Sequence, residues 1–193
     1  MGLYSNFPRK KHDEYLTPYE AARPLAPFLT GIRTFMEPCC GDGRLIRHIE
    51  GFGPLCIYHG DIQTGTDALT DIVLARTIAD AIITNPPYTE ELLLPMIERF
   101  SKIAPTWLLL EANFKYNHYA TPFIPTCSDI VPIGRVCWFE GTDEGKQNYA
   151  WYRFHAQHTR GPTFHPRQKF PPKPRQKKAK ATDGTVLSTS QGE

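Results

Sequence analysis

The chain has 193 residues, 40% of them hydrophobic, a length that fits one domain with a substantial core and a tail. No run approaches the roughly 18 apolar residues of a membrane span, and the opening MGLYSNFPRKKHDEY lacks the apolar region of a signal peptide, so a cytoplasmic location is expected. The net charge of +2 hides an asymmetry: residues 1–159 carry 14 Lys and Arg against 18 Asp and Glu (−4), whereas residues 160–193 carry 8 against 2 (+6).

In chain order, TPYEAARPLAPFL predicts a helix with Thr17 as N-cap and Pro18 at its first position. TFMEP predicts a short buried strand, and GRLIRHI opens a helix. LCIYHGD predicts a second strand that ends on an acid. ALTDIVLAR fits either a short helix or a helix with a degenerate strand behind it. DAIITNPP predicts a strand, TEELLLPMIERFSKI a helix with an acidic first turn, and TWLLLEAN another apolar strand. FKYNHYATPFIPTCSD is expected as a loop. IVPIGRVCWFEG and NYAWYRFH predict a closing β-hairpin. From about Gly161 the Pro-, Lys- and Gln-rich composition cannot bury enough surface to offset its ordering, so 160–193 is expected as a disordered basic tail after a domain spanning 1–159.

Strands apolar on both faces and alternating with helices indicate an α/β fold: a doubly wound, mostly parallel, Rossmann-like sheet with an antiparallel edge hairpin. Such sheets bind ligands beyond the carboxyl ends of their strands. Four polar clusters, EPCCGDG, HGD, TNPPY and EAN, fall at those ends. The five cysteines show no metal-ligand spacing and are expected as free, mostly buried thiols, with no metal site.

In EPCCGDGRL, Gly41 and Gly43 flank a strand-to-helix turn where absent side chains let a ligand approach the backbone. Asp61 follows Gly41 by 20 residues, about the offset at which an acid meets ribose hydroxyls. The position three after Gly43 is Ile46, not glycine, and no Lys-Ser/Thr follows the loop. These features argue against a pyrophosphate and for a nucleoside held by carboxylates. In NPPY, Pro86 and Pro87 have fixed φ and no N–H, leaving a rigid stub of acceptors: the Asn85 side-chain oxygen and the Asn85 and Pro86 carbonyls. Such a stub can accept both hydrogens of a planar NH2 group, with Tyr88 stacking on the ring that bears it.

EPCCGDG followed by TNPPY resembles the class I S-adenosylmethionine-dependent methyltransferases that act on the N6 amine of adenine in DNA, and the closing hairpin resembles small phage-type members. The likeness spans about residues 13–155 and implies a bacterial or phage-infected host cell. By position it implies Glu37, Gly41 and Gly43 around the methionine end of S-adenosylmethionine, Asp61 on the ribose, and Tyr15, Thr17 and Pro18 at the cofactor's far end. It implies Asp67 on the cofactor adenine, and Asn85, Pro86, Pro87 and Tyr88 on the target base, flipped out or single-stranded. Lys115, Tyr116, His118 and Tyr119, cations interleaved with aromatics, are expected to contact nucleic acid, or else to cap the sheet edge. The short span after the stub leaves little room for a target-recognition segment. Methyltransferases of RNA adenine and of protein glutamine share the stub, and a silent nucleic-acid-binding scaffold is a further alternative.

Overall fold

The computed structural model describes residues 16–138, 145 and 147–170. Among them, seven strands form one sheet: β1 (Thr34–Glu37), β2 (Leu55–His59), β3 (Ala81–Thr84), β4 (Thr106–Glu111), β5 (Cys127–Arg135), β6 (Asn148–Phe154) and β7 (Thr163–Phe164), in the order β2-β1-β3-β4-β6-β5-β7. β2, β1, β3 and β4 run parallel, β6 runs antiparallel between β4 and β5, and β7 lies parallel to β5. The α-helices among the described residues are α1 (Tyr19–Ala22), α2 (Arg44–Glu50), α3 (Ile72–Arg76) and α4 (Glu90–Ile103). The expected α/β architecture is present.

Period-two alternation in the strands divides the core. Met36, Ile82, Leu108 and Tyr152 face α4, where they meet Leu93, Ile97 and Phe100. Phe35, Ile83, Trp107, Leu109 and Trp151 face the other way, onto Ala21, Leu25, Leu45 and Ile49. β3 is buried throughout because it is covered on both faces, whereas β2 is an edge that leaves Leu55 58% and Ile57 41% exposed. The chain leaves β1 for β2 on one side and returns to β3 on the other, so the topological switch lies between β1 and β3.

Several boundaries differ from expectation. Pro18, not Thr17, is the N-cap of α1, and after one turn the helix tightens to a 3-10 segment over Arg23–Phe28. Pro24 and Pro27 have no N–H for the α-helical pattern, which accounts for the change. ALTDIVLAR yields α3 alone, with Asp71 accepting from the Val73 and Leu74 amides as N-cap. The expected loop after β4 holds three 3-10 turns, Phe114–Tyr116, His118–Ala120 and Ile124–Thr126. Among the cysteines only Cys127 is buried; Cys39, Cys40 and Cys56 are half-buried and Cys137 is exposed, all as free thiols.

The largest departure is at residues 161–170, expected within the disordered tail. Thr163 and Phe164 pair with Asp129 and Ile130 of β5, so the hairpin is not the sheet edge. His165 Nε2 lies 2.8 Å from Asp129 Oδ1, the Gln168 amide donates to the Pro24 carbonyl at 3.0 Å, and the Arg23 guanidinium stands 4.1 Å over the Phe170 ring. A free strand edge offers unpaired backbone groups, and this polar segment satisfies them without needing an apolar run of its own. Residues 171–193 lie outside the described residues. Among those described, no helix is long and apolar enough to cross a membrane.

Candidate functional site

The site is built at the carboxyl ends of β1, β2 and β3. Beyond Glu37 the chain turns through Gly41 (φ 51°) and Gly43 (φ 73°), left-handed conformations that a side chain disfavours, and Gly43 caps α2. Gly60, at the end of β2, ties this turn down: its N–H donates to the Glu37 carbonyl at 3.1 Å and its carbonyl accepts from the Cys40 N–H at 2.9 Å. A Cβ on Gly60 would stand 2.8 Å from Thr66 Cγ2 and from the Tyr58 hydroxyl, so a side chain here would force those neighbours to shift. Asp61 then bridges two loops. Its Oδ2 accepts from the Gly41 N–H at 2.8 Å, and its Oδ1 accepts from the Gln63 N–H at 2.9 Å. A carboxylate has about four lone-pair sites, so each oxygen keeps capacity for a ribose hydroxyl. Leu16 Cδ2 lies 4.0 Å from where a Gly41 Cβ would stand, which brings the segment with buried Thr17 and the cap Pro18 over the turn. Tyr15 lies outside the described residues.

Glu37 is fully buried, and Oε1 accepts from the Cys39 N–H at 3.1 Å. Burial, opposed by Thr84 and the Cys39 amide and reinforced by the Asp61 charge, pushes its carboxyl up to about 8. The Thr84 hydroxyl is close enough to favour ionisation of both Glu37 and Cys39. Even so, Glu37 Oε2 and Thr84 Oγ1 are both buried without a hydrogen-bond partner, so the Thr84 influence falls short of a full hydrogen bond. An orphaned carboxylate oxygen beside a glycine turn fits a cationic, donor-bearing ligand. The Cys39 thiol is held above its ordinary range by burial and by Glu37, which makes it a poor nucleophile.

Thr84 is also the last residue of β3, and the stub Asn85–Tyr88 follows it directly. Glycine turn and stub are therefore neighbours across the topological switch. Pro86 is buried, and Thr89 caps α4, with its carbonyl accepting from the Leu92 and Leu93 amides. The Tyr88 hydroxyl donates to Asn85 Oδ1 at 2.7 Å. The Tyr88 ring leans on Tyr149 (centroids 6.1 Å, 35°), and Trp138 meets Tyr149 edge-on at 5.0 Å. A cavity of about 310 Å³ opens beside the ring, lined in part by Glu90, Glu91, Glu111, Phe114, Asn117 and Tyr119.

The remaining predicted residues separate. Asp67 turns its carboxylate inward on its own loop, accepting from the Leu69 N–H at 2.9 Å and the Thr70 hydroxyl at 3.1 Å. Tyr119 faces the cavity and accepts from the Asn117 amide at 2.6 Å. Lys115 points away, 4.2 Å over the Phe164 ring of β7 and 5.0 Å over Tyr116, and both Tyr116 and His118 are exposed. Gly60, Tyr149 and Trp138 escaped the sequence reading. Gly60 directly precedes the acid at a strand end, a readable signal, whereas Tyr149 meets Tyr88, and Trp138 meets Tyr149, only through the folding of segments distant in sequence.

Solved structures with this architecture include one described as a candidate RNA methyltransferase from Pyrococcus horikoshii. It superposes with a TM-score of 0.58 at 14% identity, over 78% of this chain and 90% of that one. A candidate class I S-adenosylmethionine-dependent methyltransferase from Listeria monocytogenes superposes with a TM-score of 0.51 at 9% identity, over 81% of this chain and 65% of that one. The chain has the class I methyltransferase fold. No family model and no curated protein sequence matches it. Within that fold, the glycine turn, the acid after β2 and the stub after β3 all sit at the ligand-binding end of the sheet, and the groups present suit S-adenosylmethionine.

Proposed function

We propose that this protein transfers the methyl group of S-adenosylmethionine to the exocyclic N6 amine of adenine in DNA. The observation that carries the reading is the side-by-side placement of the Glu37–Gly41–Asp61 cradle and the Asn85–Tyr88 stub, joined through Thr84. Glu37, Gly41 and Gly43 would hold the methionine end, Asp61 the ribose, Thr17 and Pro18 the far end, and Asp67 the adenine side. Bound S-adenosylmethionine supplies an electrophilic methyl group on a sulfonium.

The chain's own task is to orient the acceptor. Adenine's amine is a weak nucleophile because its lone pair is delocalised into the ring. Asn85 Oδ1 and the Pro86 carbonyl, accepting the two N–H groups, favour a pyramidal nitrogen with a localised pair. A carbonyl oxygen has two lone pairs, so Asn85 Oδ1 can hold the Tyr88 hydroxyl and an incoming amine together. The nitrogen gains the methyl and then sheds a proton to water, so no strong base is needed at the stub. Positioning contributes most, since near-attack geometry supplies several kcal/mol.

A second reading, methylation of a protein glutamine, draws support from Glu90, Glu91 and Glu111 around the cavity, because carboxylates repel phosphates. One experiment separates the two. The protein is incubated with isotopically labelled S-adenosylmethionine and, separately, with DNA, RNA and protein substrates, and the modified residue is identified by mass spectrometry. N6-methyladenine in DNA is expected; label only in RNA or on glutamine would overturn the DNA reading.

A further inference from the structure

Charge is unevenly distributed about the stub. On the α4 side, Glu90, Glu91 and Glu111 line the cavity. On the opposite side, across the sheet, the sign reverses. Glu111 of β4 pairs with Tyr149 of β6 and Tyr149 with Gly134 of β5, whereas Arg135 pairs with Asn148 and projects from the other face. The Arg167 guanidinium rests on Gly134, its nearest atoms 2.5 Å from where a Cβ would stand. Gly134 has φ 97° and sits at a bulge in β5, so the absent side chain makes the seat for this arginine. Arg135, Arg167 and Lys169 are exposed, and none has a carboxylate partner among the described residues. From Gly145 to Thr182 the sequence holds ten Lys and Arg and no Asp or Glu; the acids of the β5–β6 connection, Glu140, Asp143 and Glu144, lie outside the described residues.

We infer that Arg167 and Lys169 form a phosphate track, laid down by the docking of residues 161–170 on β5, along which the backbone of the acceptor nucleic acid approaches the stub. This rests on the nucleic-acid reading above and adds a direction to it: the strand enters over the β5–β7 side and avoids the acidic cavity wall. Three strand spacings, roughly 14 Å, separate β3, from which the stub leads, from β5, which is about four stacked nucleotides. The track therefore holds phosphates beside the target nucleotide, not the target's own.

The test uses the full chain and a mixed-sequence DNA oligonucleotide, single-stranded and duplex, with affinity measured against salt concentration by fluorescence anisotropy. Arg167→Gln and Lys169→Gln should each weaken binding several-fold and reduce the slope of log K against log[salt] by roughly 0.7–0.9 for each phosphate no longer neutralised. Arg167→Lys should keep the slope, and Arg76→Gln, on α3 between β2 and β3, should change neither quantity. S-adenosylmethionine affinity and thermal unfolding serve as folding controls. Unchanged slopes in Arg167→Gln and Lys169→Gln, or an equal loss in Arg76→Gln, would overturn the track. If the wild-type protein methylates DNA while these slopes stay fixed, only the track fails; if it binds no DNA and methylates only protein, the nucleic-acid reading fails and the track with it.

Discussion

The parallel half of the sheet and the antiparallel half present different kinds of group at the carboxyl end. Around β1, β2 and β3, the contacts are backbone groups organised by a few carboxylates: Gly41 N–H on Asp61, Gly60 bridging Glu37 and Cys40, and Cys39 N–H on Glu37. Around β5, β6 and β7, they are side chains on a bulged hairpin: Tyr149 under Tyr88, Trp138 against Tyr149, Arg167 on Gly134. A half built from main-chain geometry suits a ligand that never changes, and a half built from projecting side chains suits an acceptor that must be chosen. Substitutions should therefore divide into cofactor defects on the first side and acceptor defects on the second.

The sharpest break in that division is at the stub between the halves. Asn85→Ala should lower the transfer rate roughly 100- to 1000-fold, as expected for removing one preorganised polar group, while S-adenosylmethionine affinity measured by calorimetry stays nearly unchanged. A large affinity loss would assign Asn85 to the cofactor half. Tyr88→Ala should cost about 10- to 100-fold in kcat/KM, the range for removing one base stack. Tyr88→Phe keeps the ring and should recover most of that rate.

Asp61→Ala comes next. It removes a ribose acceptor and releases the Gly41 and Gln63 amides, so S-adenosylmethionine affinity should fall about 10-fold or more while DNA affinity holds. An unaltered dissociation constant would remove Asp61 from the cofactor half.

Glu37 gives a pH signature to the same half. Its folded-state pKa of about 8 lies above its ordinary value of 4.5, so between those pH values the folded protein keeps a proton that the unfolded chain has shed. The associated stability is complete below about pH 4.5 and is lost as pH rises through about 8. Thermal unfolding of the unliganded protein should show this decline, and Glu37→Gln should flatten it. Calorimetry in buffers of different ionisation enthalpy should also detect proton release on cofactor binding near neutral pH, because a cation favours the ionised carboxyl.

The smallest effect belongs to the C-terminus. Removing residues 171–193 deletes Lys173, Arg175, Lys177, Lys178 and Lys180 and keeps β7. DNA affinity should fall modestly and its salt dependence should flatten, with unfolding unchanged. A cut at residue 161 would confound the measurement by also stripping β5 of its neighbour.

Legibility followed the same division. The strands of the parallel half are continuous apolar runs, and the spacing from Gly41 singled out Asp61, which the fold places against the glycine turn. The stub was readable because two prolines dictate backbone geometry locally. The antiparallel half was less so. Thr163–Phe164 is a strand only because β5 offers a free edge, and nothing within two residues among prolines and arginines announces that. Tyr149 and Arg167 acquire their roles from register and from a bulge, which depend on partners distant in sequence. Near the N-terminus the misreading was of another kind: Pro24 and Pro27 were visible, but a 3-10 continuation satisfies their neighbours as well as termination would.

The bond from the Gly41 amide to Asp61 joins two loops through a single proton. That proton is a natural spectroscopic reporter. Its resonance and its exchange rate with solvent register the strain between the loops directly, so filling the cradle can be followed at one backbone position, without label on the ligand and before any chemistry occurs.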